Sequence, residues 1–435
     1  MRRDHRHAVL PLALSLSLAL GACSASGGDA TTQLGANPQL PAINQYLVPP
    51  MHIASPTPWG KAVPTVPAGF KVEAFASGMK NVRELYTLPN GDILAVEPKG
   101  PEEPIARPKD ILVNWIQGFG HSKVSGGNRI TLLRDADGDG RPEVRTVFLD
   151  KLVSPFGVVL VGGDLYVANT DGIVRFPYRT GQTRITAPGS ILTDLPGGPI
   201  DHHWTKSLTA SPDGSKLYVG IGSNSNITEN GMEAERDRAR IWEVDRATGA
   251  HRDYATGLRN PNGLTFYPGS TQLWTVVNER DELGPDLVPD YLTAVRPGGF
   301  YGWPYSFWGR HVEPRVKPER PDMVARAIVP DYGLSSHVAP LSLAFNTGTA
   351  LHGFEGGGFI GEHGSWDRGH FNGYKVVWVP FANGRPSGKP RDFMTGFLDN
   401  EGHARGRPVG VAFDRSGALL VADDLANVVW RVSPA

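Results

Sequence analysis

A repeated strand-and-turn pattern after Pro64 limits the fold of this chain more than any other feature of its sequence. Short turns containing glycine alternate with runs rich in Val, Leu, Ile and Tyr, as in "LPNGDILAVEP", "SPDGSKLYVGIGS", "YPGSTQLWTVVNE" and "RSGALLVADDLANVVWRVS". This alternation is typical of β-hairpins. Long helical periodicity is nearly absent, and only residues 233–244 look helical, although their "IWEV" end favours a strand.

About six such repeats, spaced irregularly, predict an all-β fold and specifically a β-propeller. A pair of β-sandwiches is the alternative, but the length after Pro64 fits one closed propeller better. Propellers bind ligands at the central channel with loops from several blades. We therefore expect site residues to be scattered along the chain.

The N-terminus has the pattern of a bacterial lipoprotein signal. Arg2, Arg3 and Arg6 precede an apolar run over residues 8–22, which is shorter than the roughly 20 residues of a membrane span. The run ends in "LGAC", which resembles the lipobox that is cut before cysteine. An ordinary signal peptide with an incidental cysteine is the alternative. Lipidation is favoured because Cys23 is the only cysteine of the chain.

The predicted organisation has three parts. Residues 1–22 are the signal peptide, residues 23–64 are a tether or strap rich in Gly, Pro, Ala, Ser and Thr, and residues 65–435 are the propeller domain. We expect export to the cell envelope, facing the periplasm or exterior, with the lipid anchor as the only membrane contact.

Composition excludes two classes of protein. The mature chain contains no cysteine beyond Cys23, so disulfide bonds within the domain are impossible despite export. The formal net charge is -1 and no basic tract stands out, so nucleic acid is not expected as a partner.

Two polar motifs beside strand runs carry candidate catalytic chemistry. In "DHHWTKSL", His202 and His203 would face opposite ways on a strand, and at most one would enter a site. Histidine is the side chain best suited to act as a base near neutral pH, although a surface histidine beside a packed one is the plainer interpretation. In "LRNPNGLTF", Arg259, Asn260 and Asn262 surround a turn, and a turn held by asparagine is the alternative.

A third motif, "NERDELGPDLVPD", contains five carboxylates around a Gly-Pro pair. Carboxylates and backbone carbonyls are the ligands that calcium prefers. A solvated acidic loop is the alternative. The aromatic, glycine-rich "GGFYGWPYSFWG" that follows argues against that alternative, because it is typical of a packed segment.

The fourth motif is "HARGRPVG". Arg405 and Arg407 would point the same way on an extended segment and suit a polyanionic ligand, although a solvated basic edge is the alternative. Separately, "DADGDGRPE" over residues 135–143 resembles part of a calcium loop. A hairpin turn is favoured over a metal site there because Thr146 stands where that loop needs Glu.

Taken together, the motifs resemble the PQQ-dependent soluble aldose and glucose dehydrogenases, and most closely the L-sorbosone dehydrogenase-like branch. "HWTKSL", "LRNPNGL", "NERDELG", "GGFYGWP", "GEHGSWDR" and "GRPVGVAFD" follow one another in family order. The resemblance implies a six-bladed propeller that binds pyrroloquinoline quinone (PQQ) and Ca²⁺. It also implies oxidation of a sugar with electrons passed to an external acceptor.

The resemblance also implies roles for single residues. His203 matches the general base, and Arg259 matches an arginine near the reacting quinone carbonyl. The expected cofactor-binding residues are Asn260, Asn262, Arg405 and Arg407, with Arg368 as the cation nearest to a family lysine.

For calcium, the resemblance implies an Asp at the position of Asp290 and carbonyl donors at Gly284 and Pro285. Asp281 and Glu282 are further ligands or supporting groups. Ser223 stands where the glucose-oxidising branch has Asp, which separates this chain from that branch.

Two other functions compete with the dehydrogenase. The first is a cofactor-free propeller lipoprotein that binds a glycan or protein partner. The second is a calcium-dependent sugar lactonase, which would need no pair of arginines for a polyanion. The set formed by His203, Arg259, Asp290, Arg405 and Arg407 favours the dehydrogenase.

Overall fold

The computed structural model of the protein describes residues 28–45, 52–102 and 125–435. The predicted signal peptide and lipidation site, Cys23, lie outside these residues. Within them, the chain forms the predicted six-bladed β-propeller. Each blade is a four-stranded antiparallel sheet whose first strand lines the channel.

The first three blades follow one another along the chain. Their strands, from the channel outward, are Glu84–Thr87, Ile93–Glu97, Arg129–Arg134 and Val144–Leu149 in blade 1; Val158–Val161, Asp164–Ala168, Gly172–Pro177 and Ser190–Asp194 in blade 2; and Leu208–Ala210, Lys216–Ile221, Arg240–Asp245 and His251–Thr256 in blade 3.

Blades 4 and 5 follow the same order, and blade 6 takes its outermost strand from the start of the domain. Their strands are Pro261–Phe266, Leu273–Val277, Pro289–Ala294 and Tyr332–Ser336 in blade 4; Pro340–Phe345, Gly358–Glu362, Lys375–Val379 and Arg391–Met394 in blade 5; and Pro408–Phe413, Leu419–Asp423, Val428–Pro434 and Phe70–Ser77 in blade 6.

Smaller elements decorate this ring. Leu34–Gly35 pairs with the outer strand of blade 4, and Gly299–Phe300 adds to blade 3 in parallel. The remaining elements of the described chain are two ribbons, one α-helix and two 3₁₀ turns: Ser306–Phe307 with His311–Val312, Phe381–Ala382 with Arg385–Pro386, Pro321–Arg326, Ala30–Gln33 and Met232–Glu235. The helical-looking stretch over residues 233–244 therefore splits into a short turn and a strand.

The second strand of a blade explains why many runs in the sequence are apolar throughout rather than alternating. All five residues of Ile93–Glu97, Leu273–Val277 and Leu419–Asp423 are buried. A middle strand of a blade packs against a neighbouring blade on each face, so both sets of side chains leave water. The hydrophobic clusters accordingly lie between blades.

The six first strands surround a channel of about 310 Å³. They all begin at the same face of the propeller. We call this the upper face, defined by the loops that precede the first strands and the loops that join second to third strands. Among the described residues, no helix is both long and apolar enough to cross a membrane.

Ring closure depends on the ladder between Phe70–Ser77 and Val428–Pro434. Val432 lies in this ladder opposite Val72 and is fully buried. We expect Val432→Ala to reduce the free energy of unfolding by about 2 kcal/mol, through lost burial and the cavity left behind. Val63→Ala, at a 50% exposed position, is the control and should change little. Equal urea midpoints for the two variants would contradict this role of the closing strand.

Candidate functional site

The upper face gathers the polar motifs around the channel. Arg83, Asn260 and Arg407 each directly precede the first strand of a blade, and His363 and Asp424 directly follow a second strand. These places are equivalent by the symmetry of the propeller. Residues that are far apart in the sequence therefore meet at one end of the channel.

His203 lies in a turn rather than on a strand, and its ring contacts that of His202 edge to face with centroids 4.6 Å apart. His203 Nδ1 is 2.8 Å from the backbone oxygen of Ser223 and 3.0 Å from its hydroxyl. A carbonyl oxygen can only accept, so Nδ1 carries the proton and Nε2 keeps its lone pair. Burial, the Arg259 guanidinium and His202 hold the pKa of His203 well below its usual range. The ring is therefore a neutral base at pH 7.

The position of His203 is tightly constrained by its neighbours. A side chain at Gly222 would overlap both the Cβ of His203 and the amide oxygen of Asn260. The Ser223 amide donates to the Arg259 carbonyl at 2.7 Å. This packing explains why the "IGS" motif has glycine before Ser223, and it brings the His203 and Arg259 segments together.

A buried ionic group lies behind the histidine turn. The Asp201 carboxylate pairs with Arg238 at 2.9 Å and with Lys206 at 3.4 Å, and all three side chains are almost completely buried. Lys206 also donates to the Trp204 carbonyl at 2.9 Å. The sequence motif contained Asp201 and Lys206, but nothing in its pattern marked them as supports for this turn.

The Arg259 guanidinium makes several hydrogen bonds and one ion pair on the upper face. Its guanidinium donates to the Glu279 carbonyl at 2.7 Å and pairs with Asp281 at 3.2 Å. It also contacts the backbone and side-chain oxygens of Asn226. Arg259 thus joins the histidine segment to the acidic motif.

The two predicted asparagines have different surroundings. The amide oxygen of Asn260 is buried and has no hydrogen-bond partner among the described residues. Asn262 is fully buried, accepts from Thr205 at 3.1 Å and donates to the Asn260 carbonyl. Asn260 therefore retains an unsatisfied acceptor beside His203, whereas Asn262 supports the strand below.

The acidic motif is organised around a histidine that sequence reasoning missed. His337 contacts Asp281 through Nδ1 at 3.1 Å and the Gly284 carbonyl through Nε2 at 3.3 Å. Burial alone would lower the pKa of His337, but the hydrogen bond and charge of Asp281 raise it to about 9. Both nitrogens then carry protons, and an imidazolium lies between Asp281 and Gly284.

Asp367 completes this cluster. The ligand atoms of Asp281, His337 and Asp367 lie within 4.8 Å of one another. The Asp367 carboxylate also accepts from the Glu282 amide at 2.9 Å. Burial and the charge of Asp281 raise the pKa of Asp367 to about 6.

The remaining residues predicted for calcium lie around this cluster with other partners. Asp290 accepts hydrogen bonds from the backbone amides of Glu279 and Ala339 at 2.7 and 2.8 Å, so each of its carboxylate oxygens already has a backbone partner. Burial raises the pKa of Asp290 to about 7. The Pro285 carbonyl is 3.4 Å from the Ser336 hydroxyl. The structure thus brings Asp281 and the Gly284 carbonyl together around His337. Asp290 instead fixes the backbone of the neighbouring loops.

Arg368 is completely buried beside the acidic motif. It pairs with Asp286 at 2.6 Å and donates to the Ser336 hydroxyl at 3.0 Å. Its guanidinium also reaches the Gly28 carbonyl at 3.3 Å. Its contacts are those of a structural ion pair.

Arg405 and Arg407 do not share a face. The chain bends at Arg405, so the alternation expected of an extended segment is wrong here. Arg405 lines a groove of about 700 Å³ between residues 56–63 and blade 6. Arg407 instead pairs with Asp424 at 3.1 Å, next to the channel.

Asp424 is the centre of a second cluster that the sequence did not reveal. Its carboxylate pairs with Arg83 at 2.7 Å and His363 at 2.9 Å as well as with Arg407. Burial would raise the pKa of Asp424, but Arg407, His363 and Arg83 hold it far below its usual range. Burial lowers the pKa of His363 to about 4, so this ring is neutral. A detectable signal was the polar residue directly after an apolar second strand, in "GEHG" and "VADDL".

Residues 135–143 form the turn that joins two strands of blade 1, as the hairpin interpretation predicted. The carboxylates of Asp135, Asp137, Asp139 and Glu143 converge within 4.8 Å. Asp135 also accepts from the amides of Gly138 and Gly140 within the turn.

Comparison with known proteins identifies the family. The fold is that of a six-bladed propeller with a polar upper face, and a family model described as TrAA12-like matches residues 132–290 and 322–435. The chain belongs to this family. An uncharacterized protein of Borreliella burgdorferi is 29% identical over 245 residues, which are 56% of this chain and 63% of that protein. The match therefore spans less than two thirds of that relative.

Two solved structures share the fold. The holo form of the PQQ domain of pyranose dehydrogenase from Coprinopsis cinerea has a TM-score of 0.69 at 19% identity and covers 88% of this chain and 100% of that one. The calcium structure of a family AA12 carbohydrate-active enzyme from Trichoderma reesei has a TM-score of 0.69 at 18% identity and covers 88% of this chain and 99% of that one.

The environment of His203 gives a prediction about its titration. Ser223→Asp places a carboxylate beside Nδ1, and a negative charge favours the imidazolium, so the pKa of His203 should rise. The measurement is NMR titration of ¹⁵N-histidine-labelled protein, with the His203 signal assigned by its loss in His203→Gln. Ser223→Asn has nearly the same shape without the charge and is the control. Identical titration in the Asp and Asn variants would contradict the geometry at Nδ1.

Proposed function

We propose that this protein is a PQQ- and calcium-dependent oxidoreductase that oxidises an aldose or a sugar aldehyde of the sorbosone type. Electrons would pass to an external acceptor. The observation that carries the proposal is His203, a neutral ring with an unprotonated Nε2 beside Arg259 on the upper face. Family membership and the shared propeller fold support the same class of activity.

The residues of the upper face fit a polycarboxylate cofactor. Arg83 and Arg407 carry two positive charges against the single charge of Asp424. The Nε atom of Arg83 is buried without a hydrogen-bond partner among the described residues, and such a donor suits an anionic ligand. We propose that Arg83 and Arg407 hold carboxylates of PQQ and that Asn260 contacts its ring system.

The hard oxygen donors of the cluster formed by Asp281, His337 and Asp367 fit calcium. Asp281, Asp367 and the Gly284 carbonyl surround His337, and oxygens of these kinds are the ligands that calcium prefers. The His337 imidazole is not such a ligand. Calcium would therefore compete with the His337 imidazolium for the Asp281 carboxylate and the Gly284 carbonyl. Glu282, Pro285 and Asp290 would support the loop that surrounds the ion. Asp290 holds this loop by accepting hydrogen bonds from two backbone amides.

In the proposed reaction PQQ supplies the quinone that accepts hydride. The chain supplies the proton acceptor and the charge. His203 Nε2 takes the proton of the reacting sugar hydroxyl, because Nδ1 is held on the Ser223 carbonyl and cannot. Arg259, held by Glu279 and Asp281, stabilises negative charge beside it. The anchor at Cys23 and export to the envelope remain part of the proposal.

The base assignment is tested by a pair of neighbouring histidines. His203→Ala should lower kcat by about 10²–10⁴-fold, the range expected for loss of a general base, with the Kd for PQQ nearly unchanged. His202→Ala is the control and should lose much less. Sugar-dependent dye reduction and PQQ titration measure the two quantities. Near-normal kcat in His203→Ala would remove the assignment.

The proposed role of Arg407 in binding PQQ is tested by comparing variants of Arg407 and Arg405. Arg407→Met should raise the Kd for PQQ by about tenfold or more, as expected when a charge-assisted hydrogen bond is lost. Arg405→Met should leave this Kd nearly unchanged, because Arg405 lines a separate groove. Thermal unfolding establishes that both variants fold. A larger effect of Arg405→Met would contradict the assignment.

A further inference from the structure

The described chain begins on the upper face. The Gly28 amide donates to the Asp286 carboxylate at 2.6 Å, and the Gly28 carbonyl accepts from Arg368 at 3.3 Å. Leu34–Gly35 then adds to the outer edge of blade 4. Asp286 belongs to the loop that joins the second and third strands of blade 4. Gly28 is therefore fixed at the upper face, next to the acidic cluster.

This attachment limits where an anchor at Cys23 can be. Four residues lie between Cys23 and Gly28, and the five residue-to-residue steps that join them span at most about 17 Å when extended. A lipid on Cys23 would hold the bilayer within that distance of the place where Gly28 is attached. The lower face lies at the opposite end of the blades and is out of reach of so short a connection.

Exposed hydrophobic side chains are concentrated on the same face. Eight large hydrophobic side chains are exposed in the described ranges. Three of them, Val153, Met232 and Trp366, lie in upper-face loops, and two more, Ile43 and Val312, lie in segments that contact such a loop. Such side chains are costly to leave in water and suit the boundary between headgroups and acyl chains.

Their contacts establish this placement. Asn44, next to Ile43, donates its amide to the Leu283 carbonyl at 2.9 Å. Glu313, next to Val312, pairs with Arg280 at 3.4 Å. Trp366 precedes Asp367, whose carboxylate belongs to the acidic cluster.

The other two lie beside the histidine turn. Met232 is in the segment that joins the second and third strands of blade 3 and includes Ser223, the partner of His203. The Val153 carbonyl accepts from the Thr170 amide at 3.0 Å, and Thr170 also contacts Asp201. All five side chains thus lie in, or next to, the loops of the upper face.

The lower face has the opposite character. Its turns between first and second strands read "PNGD", "SPDGS", "YPGSTQ" and "DRSGA", and none of the eight exposed hydrophobic side chains lies in them. The difference between the faces is what a protein needs if one end rests on a bilayer and the other stays in water.

We propose that the upper face of the propeller rests on the surface of the membrane to which Cys23 is attached. The partner is the lipid bilayer, which the exposed side chains of Ile43, Val153, Met232, Val312 and Trp366 contact. The candidate site then opens toward the membrane. This extends the expected lipid anchor to a defined orientation, and it does not depend on which reaction the site performs.

The test uses the single cysteine of the chain. Cys23 is blocked when lipidated, so an added cysteine is the only one that reacts with a thiol fluorophore. Met232→Cys reports on the upper face, Pro212→Cys on the lower face and Ile191→Cys on the outer strand of blade 2. The full lipoprotein is placed in vesicles of phosphatidylethanolamine and phosphatidylglycerol that contain nitroxide-labelled lipid.

We expect the nitroxide lipid to quench the label at residue 232 and to leave the labels at residues 212 and 191 unquenched. Ile191 is itself an exposed hydrophobic position, so this control separates orientation from apolarity. Quenching at residue 212, equal quenching at all positions, or no quenching at residue 232 would overturn the proposal. Mass spectrometry without a lipid on Cys23 would also overturn it, whether or not the protein oxidises sugars.

Discussion

Closure of the propeller ring is the constraint on which the rest of the structure depends. The ladder between Phe70–Ser77 and Val428–Pro434 joins the start of the domain to its end and completes blade 6. Once the ring is closed, the residues that precede first strands and follow second strands must lie around one opening. Arg83 and Asp424 are 341 positions apart in the chain, and the ring brings them to 2.7 Å. The polar clusters are therefore a product of topology, and the buried second strands supply the packing that holds it.

Two histidines on the upper face show how the hydrogen-bond partner of a buried imidazole determines whether the ring is neutral or positively charged. His203 has its Nδ1 on a carbonyl and a guanidinium nearby, so burial and positive charge keep it neutral. His337 is buried too, but its Nδ1 faces the Asp281 carboxylate, and it is an imidazolium. One ring can accept a proton, and the other contributes a positive charge amid carboxylates. The two rings thus differ in charge although both are buried, and the difference comes from the groups that face them.

The sequence predicted the fold well because its signals are local. Turn residues before apolar runs identify strands, and their number and spacing indicate a closed propeller. The segments that carry the candidate site residues were also recognisable, and the structure brings the His203 and Arg259 segments together on the upper face. The partners could not be predicted. His337 meets Asp281 within blade 4, and Asp424 meets Arg83 across the junction of blades 6 and 1. No local pattern encodes either contact. Alternation likewise failed for Arg405 and Arg407, because a bend in the chain overrides the two-residue period of extended backbone.

The most direct measurement is sugar-dependent dye reduction by protein that lacks residues 1–23. PQQ and calcium are added separately and together, against aldoses and sorbosone. We expect turnover only when both are present, together with a change in the PQQ absorption spectrum on mixing. Absence of both turnover and the spectral change would contradict the dehydrogenase and favour a propeller that binds a glycan or a protein without a cofactor. A spectral change without turnover would leave the cofactor site in place and contradict the proposed sugar substrates.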